Sequence, residues 1–145
     1  MKYLNKNQKG FTLIEIMVVV VILGILAGIV VPRLLDQPEK ARRTSAATQI
    51  RSLEEALGMF KLDNGYYPST EQGLEALVAK PTIGRIPGHY KEGGYIKKIP
   101  LDPWGAPYLY LSPGAHGDFD LFSYGPDGES GGEGENADIA NWNLE

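Results

Sequence analysis

From Phe11 to Val31 the chain is apolar for about 21 residues, with one formal charge, Glu15. At 1.5 Å rise per residue, a helix of that length crosses a bilayer core of about 30 Å. After Pro32 the pattern changes. Ala46, Ile50, Leu53, Leu57 and Phe60 recur at spacings of three and four, one apolar face of an amphipathic helix. Arg42, Arg43, Arg51, Glu54 and Glu55 fall on its other faces. Asp63-Asn64-Gly65 ends the pattern, with Gly65 suited to the left-handed position past a helix end. The spacing predicts a helix from about Phe11 to Leu62, residues 11–31 in lipid and 32–62 running into a globular domain of residues 63–145. Pro32 costs a helix interior about 3 kcal/mol. It marks a kink or an unwound hinge between Gly28 and Pro38, the alternative being a break into two helices.

The domain shows weaker signals. Ser69 followed by Gln72 has the spacing of a capping box and predicts a short helix over Thr70–Ala79, stopped by Pro81. The loop through Gly94 is rich in Gly and Pro and predicts irregular backbone. Strand-forming residues populate Tyr95–Leu121, with the clearest runs at Pro107–Ser112 and Asp118–Tyr124. Pro113–Gly117 reads as the turn between them, and Asp102-Pro103-Trp104-Gly105 as a tight turn with Trp104 anchoring a small core. The fold class is α+β, a long amino-terminal helix packed on a small antiparallel sheet.

Three readings compete for the first apolar run. A secretory signal has the basic start, Lys2, Lys6 and Lys9, but the run exceeds the usual 7–15 residues and no small-residue cleavage site follows. A plain uncleaved anchor leaves Glu15 unexplained, since a carboxylate in a spanning segment is costly. A cut after Gly10 would leave Phe11 as a free ammonium, four residues from Glu15. That is helical spacing for a shared face, and buried charges are tolerated when paired.

The chain has 145 residues, 18 acids against 14 Lys and Arg, a net charge of −4 and no cysteine. No disulfide or thiolate metal site is available to staple a small domain, so a metal or oligomerisation is the expected substitute. From Leu101 to Glu145 there are nine acids and no Lys or Arg, which argues against a nucleic-acid partner. Residues 124–138 concentrate both glycine and acid ahead of apolar Ile139 and Trp142, which look built to dock. Ordering so many glycines is entropically expensive. A calcium ion, taking six to eight oxygens from carboxylates and carbonyls, would hold such a loop; a disordered acidic linker is the other reading. Asp127 and Asp138 stand at the first and twelfth places of an EF-hand, but Gly131 at the fifth place offers no side-chain oxygen, which excludes that motif. Catalysis has no visible support. His89 and His116 are lone loop histidines, expected to be solvated, and no nucleophile–base pattern or phosphate loop appears.

Lys9-Gly10-Phe11-Thr12-Leu13-Ile14-Glu15 resembles the class III signal of type IV pilins and type II secretion pseudopilins. Glu92–Ile96, Asp102–Gly105, Gly125–Gly128 and Ala137–Trp142 extend the likeness. Over Gly10–Trp142 the chain is similar to the major pseudopilins of the type II secretion system, within the type IV pilin-like superfamily. The absence of a carboxy-terminal cysteine pair favours these over true pilins. The resemblance implies that residues 1–10 are a leader, and that a prepilin peptidase cuts between Gly10 and Phe11 and methylates Phe11. It implies a role for Glu15 in assembly and loosening around Pro32. It implies a single pass through the bacterial inner membrane, with the domain in the periplasm. It implies a helical homopolymer working with minor pseudopilins and an inner-membrane assembly platform to move folded exoproteins across the outer membrane. For calcium it implies carboxylates from Asp127 and Asp138 and backbone oxygens of Tyr124 and Glu135. Where some members have two adjacent aspartates this chain has Ala137-Asp138, leaving a place for Glu135, Asn136 or water. The rivals are a type IV pilin for adhesion or motility, and a membrane-tethered binding domain that never polymerises.

Overall fold

Ala46, Ile50, Leu53, Leu57 and Phe60 are all buried, so the predicted stripe is the core-facing side of one helix, α1 (Leu13–Asn64). Burying its four larger members contributes about 1.5–3 kcal/mol each, more than helix propensity supplies per residue. α1 ends two residues beyond the predicted Leu62. Gly65 follows at φ 83° and donates its N–H to the Lys61 carbonyl at 2.7 Å, as a left-handed helix stop requires. The computed structural model describes residues 10–144, and the side chains of residues 30–37 lie outside the described ones. Contacts divide the chain into two units, Met1–Pro38 and Glu39–Glu145. α1 runs through Pro32 and Pro38 as helix rather than as two helices. The Pro32 side chain, and with it the predicted hinge, lies outside the described residues.

In the second unit Leu74, Leu77, Tyr108, Tyr110, Phe119, Leu121 and Ile139 complete the core against α1. Three short strands form an antiparallel sheet in the order β1 (Leu109–Leu111), β2 (Asp120–Ser123), β3 (Ile139–Ala140). Tyr110 faces Leu121 across the first pair and Ser123 faces Ile139 across the second. The β1–β2 hairpin is the one predicted; β3 adds a strand that two residues could not announce. Phe60 gathers Tyr66, Tyr90 and Tyr95 at centroid distances of 5.8, 6.3 and 5.4 Å. The Tyr108 hydroxyl donates to Gln49 Oε1 and that of Tyr110 to the Pro68 carbonyl. Burial pushes the Tyr110 phenol up to about 12.

Two elements differ from expectation. The capping box forms as read: the Ser69 N–H donates to Gln72 Oε1 at 3.1 Å and the Gln72 N–H to Ser69 Oγ at 3.2 Å. The helix it announced does not, because Gly73 sits at φ 63°, ψ −168°, leaving one 3-10 turn at Leu74–Leu77. The Gln72 amide instead donates to the carbonyls of Ile83 and Arg85 at 2.8 and 2.9 Å, holding the Gly/Pro loop. Residues 95–106 form no strand. The Tyr95 and Ile96 N–H groups both donate to the Leu77 carbonyl, so the stretch is pinned to the 3-10 turn instead.

The Asp102–Gly105 turn forms, closed by the Gly105 N–H on the Asp102 carbonyl at 3.0 Å. Its organiser is the buried Asp102 carboxylate. Oδ1 accepts from the Trp104 and Ala106 N–H groups at 3.0 and 2.8 Å, and Oδ2 from the Ser123 hydroxyl at 2.6 Å. Trp104 packs half-buried on the core, its indole N–H donating to Glu39 Oε1. Asp102→Ala strands three donors, and hydrogen bonds to a charged group contribute about 1.5–3 kcal/mol each. Urea unfolding of the detergent-solubilised chain, followed by tryptophan fluorescence, is expected to show a loss of about 3 kcal/mol. A change within about 0.5 kcal/mol, as for ordinary surface positions, would show that the carboxylate is dispensable.

Candidate functional site

At the start of α1, Gly10 and Phe11 are exposed. Thr12 and Glu15 form a reciprocal pair. The Thr12 N–H faces Glu15 Oε2 at 3.4 Å and the Glu15 N–H faces Thr12 Oγ1 at 3.3 Å. This is a Thr-x-x-Glu capping box, and it explains why the helix begins at Leu13 rather than Phe11. Its signal in the sequence is the Thr12-to-Glu15 spacing. The side chains from Leu13 to Ile29 are exposed in the single chain. Among the described residues no helix is long and apolar enough to cross a membrane; the described apolar side chains stop at Ile29, ahead of residues 30–37.

The tail begins behind β2. The Ser123 hydroxyl that donates to Asp102 accepts the Gly125 N–H at 3.1 Å, and a 3-10 turn follows at Gly125–Asp127 with Tyr124 ahead of it. Asp127 Oδ1 accepts the Glu129 N–H at 3.2 Å. Gly131 and Asp138 close the loop, the Gly131 N–H donating to Asp138 Oδ2 at 2.9 Å and the Asp138 N–H to the Gly131 carbonyl at 3.2 Å. Gly132, at φ 85°, lies so near the Asn136 carbonyl that a Cβ there would collide with it. A second 3-10 turn, Gly134–Asn136, packs on the first.

Oxygen atoms are what this loop offers. Asp138 Oδ1 is buried and has no hydrogen-bond partner, while Oδ2 is engaged. A buried carboxylate oxygen left unpaired is costly, and this one stands in a loop whose other donors are Asp127 and backbone carbonyls, the hard oxygen set that calcium takes. Among the described residues no three His, Cys, Asp or Glu side chains come together to hold a metal ion. The expected shell has the carboxylates of Asp127 and Asp138 and otherwise rests on the oxygens of Tyr124 and Glu135. One of those is already in use: Arg43 Nη1, from α1, donates to the carbonyls of Glu135 and Ala137, both at 2.8 Å. Arg43 lies off the core-facing stripe, as its sequence position indicated, and is half-buried on the tail.

The model for type II secretion system protein G matches residues 33–142, and that for the prokaryotic N-terminal methylation motif matches residues 5–31. The chain is 61% identical to the type II secretion system core protein G of Vibrio cholerae over 140 residues, covering 97% of this chain and 95% of that protein. It is 57% identical to the Pseudomonas aeruginosa protein of the same description, over 95% of this chain and 97% of that one. The crystal structure of the major pseudopilin from the type 2 secretion system of enterohaemorrhagic Escherichia coli superposes with a TM-score of 0.70 at 47% identity. That match covers 80% of this chain and 99% of the other. The chain belongs to the type II secretion system protein G family.

In this family member the tail is also clasped from the hairpin. Ile139 is buried, as its docking role required, but Trp142 stays on the surface, 40% exposed. Its ring stacks on His116, with centroids 3.8 Å apart and planes 9° apart. His116 is exposed, as a loop histidine is expected to be, yet its ring is engaged on both sides. Its Nδ1 lies 3.0 Å from Asp120 Oδ2, and the buried Asp120 carboxylate also accepts the Ala115 and His116 N–H groups at 3.0 and 3.1 Å. His89 is exposed, and its backbone N–H donates to Asn64 Oδ1.

Burial raises the Asp120 carboxyl, but the His116 ring and the two N–H groups outweigh it and hold it below the ordinary carboxylate value. A depressed carboxyl contributes stability that is present above its unfolded value of about 3.9 and lost as pH falls through the folded one. The stability advantage of the parent over Asp120→Asn therefore shrinks as pH drops below about 4. Urea midpoints for both proteins at a series of acid pH values check this; parallel curves would contradict it.

Proposed function

We propose that this chain is the structural subunit of the type II secretion pseudopilus, polymerising into a filament that helps drive folded exoproteins across the outer membrane. One observation carries the reading. A single helix buries its face at Ala46–Phe60 in the domain, yet leaves the apolar side chains of Leu13–Ile29 exposed. Apolar surface left in water forfeits about 25 cal/mol per Å². Lipid before assembly, and copies of the same helix afterwards, are the covers that fit. A prepilin peptidase cuts between Gly10 and Phe11 and methylates Phe11. Residues 11–31 then anchor the subunit in the bacterial inner membrane with its domain in the periplasm. Minor pseudopilins and an inner-membrane platform direct growth. The subunits join by heterologous, non-closing contacts, and the role is structural rather than enzymatic.

Glu15 supplies the pairing charge. Its carboxylate already faces its own Thr12 N–H, so it is held at the helix start, where a neighbour's Phe11 ammonium can reach it. A calcium ion bound to Asp127 and Asp138, with oxygens of Tyr124 and Glu135, supplies the positive charge that this acidic, glycine-rich loop lacks, and so fixes the domain surface for packing.

The intact mass of the protein extracted from native membranes tests the processing. Loss of residues 1–10 with gain of one methyl group is expected; a full-length mass beside an active peptidase would remove the free amine from the pairing. Glu15→Ala is expected to insert normally and fail to assemble, seen as membrane-bound subunit without sheared filaments; normal filaments from it would sink the pairing. Asp127→Ala is expected to melt several degrees below the parent in calcium but with it in chelator, since a ligand that binds the native state alone stabilises by mass action. Equal melting in calcium would count against the site.

A further inference from the structure

Arg43 touches a loop rich in acidic residues, yet the contacts it makes there are with backbone carbonyls. Residues 127–138 carry five acids, Asp127, Glu129, Glu133, Glu135 and Asp138, and among the described residues Arg43 makes no ion pair within 4.0 Å. A guanidinium in such company ordinarily takes a carboxylate in a two-pronged contact. Here it donates to two neutral carbonyls, Glu135 and Ala137, at 2.8 Å each. Gly125, at the other end of the loop, lies against the same spot: a Cβ there would sit 3.5 Å from the Ala137 oxygen and 4.0 Å from Arg43 Nη1. The guanidinium thus meets both limbs of the loop while leaving Asp127 and Asp138 without a cation, Asp138 Oδ1 being buried and unpartnered.

We infer that Arg43 is a positioning residue for the calcium loop, a standing cation that pre-orders its second limb and so sets its calcium affinity. This rests on the calcium reading above. Without Arg43 the residues 131–138 would be ordered only when the ion arrives, and binding would bear that entropy. With Arg43 in place the loop is half-built, its backbone oxygens on the helix side already engaged and Asp138 Oδ1 still without a partner. Repulsion between two cations opposes this, but the guanidinium charge is spread and already solvated by two carbonyl dipoles.

The test uses the detergent-solubilised full chain, stripped with chelator, as parent, Arg43→Gln, Arg43→Lys and Asp127→Ala. Calcium chloride is titrated calorimetrically, and amide exchange is followed in chelator. Arg43→Gln is expected to bind calcium about tenfold more weakly, the scale of a lost pre-organising contact. Its Gly131 and Asp138 amides are expected to exchange faster, while those of β1 and β2 keep the parent's rates. Arg43→Lys, which retains the charge and reach, is expected to recover most of both effects, and it carries the test should Arg43→Gln not fold. Equal or tighter calcium binding by Arg43→Gln overturns the inference and leaves the calcium reading standing. A parent that binds no better than Asp127→Ala removes the calcium reading, and this one with it. Faster exchange throughout β1 and β2 overturns the positioning role in favour of a general structural one.

Discussion

The rest of the second unit leans on one buried face of α1. The sheet cannot be the spine: its strands span three, four and two residues, too short to hold themselves together in water. What gives them a place is the apolar row Ala46, Ile50, Leu53, Leu57 and Phe60, against which Tyr110, Leu121 and Ile139 pack. A cysteine-free chain has no covalent staple to add to this. Packing on the helix therefore sets where the loops start and finish, and something else must hold what lies between.

That work falls to a few buried or half-buried polar side chains, each taking up backbone groups that no strand or helix satisfies. Gln72 holds the carbonyls of Ile83 and Arg85, Asp102 the N–H groups of Trp104 and Ala106, and Asp120 those of Ala115 and His116. Asn141 exchanges bonds with Leu121 and Phe119. Buried backbone polar groups must be paired somewhere, and in a domain with so little regular structure side chains become their partners. The arrangement also links distant parts: the turn at Asp102 and the start of the tail at Gly125 share one Ser123 hydroxyl.

This division explains what could be read in advance. The face of α1 was legible because a helix repeats its apolar positions over many turns, and the hairpin was legible because both its strands and its turn carry their own residue types. The Ser69–Gln72 box was legible, but not the positive φ at Gly73 that stops a helix from growing out of it. β3 was not legible, since two residues show no period. Least legible were Asp102, Asp120 and Arg43. A charged residue in sequence reads as solvated surface, and only the fold reveals that these three meet backbone groups instead. In the candidate loop, Asp127 and Asp138 are legible from the residues and their resemblance, while nothing in the sequence ties Arg43, over 90 residues earlier, to the Glu135 carbonyl.

Charge accounting closes the argument about the tail. No Lys or Arg follows Leu101, while nine acids do, so every cation that meets this region comes from elsewhere in the fold, from a histidine or from solution. Lys61 reaches Asp118 at 3.1 Å from the end of α1, and the His116 ring lies 3.0 Å from Asp120 Oδ2. Among the described residues no cation pairs with Asp102, whose carboxylate takes three hydrogen bonds. Arg43 is the remaining candidate near the loop, and its Nη1 is spent on carbonyls. Asp127 and Asp138 are then left to solution, on a backbone whose glycines at positive φ turn its carbonyls where side chains would obstruct. The loop thus draws its fixed positive charge from α1, through Arg43 on the carbonyls of Glu135 and Ala137, and among the described residues no cation pairs with its own carboxylates.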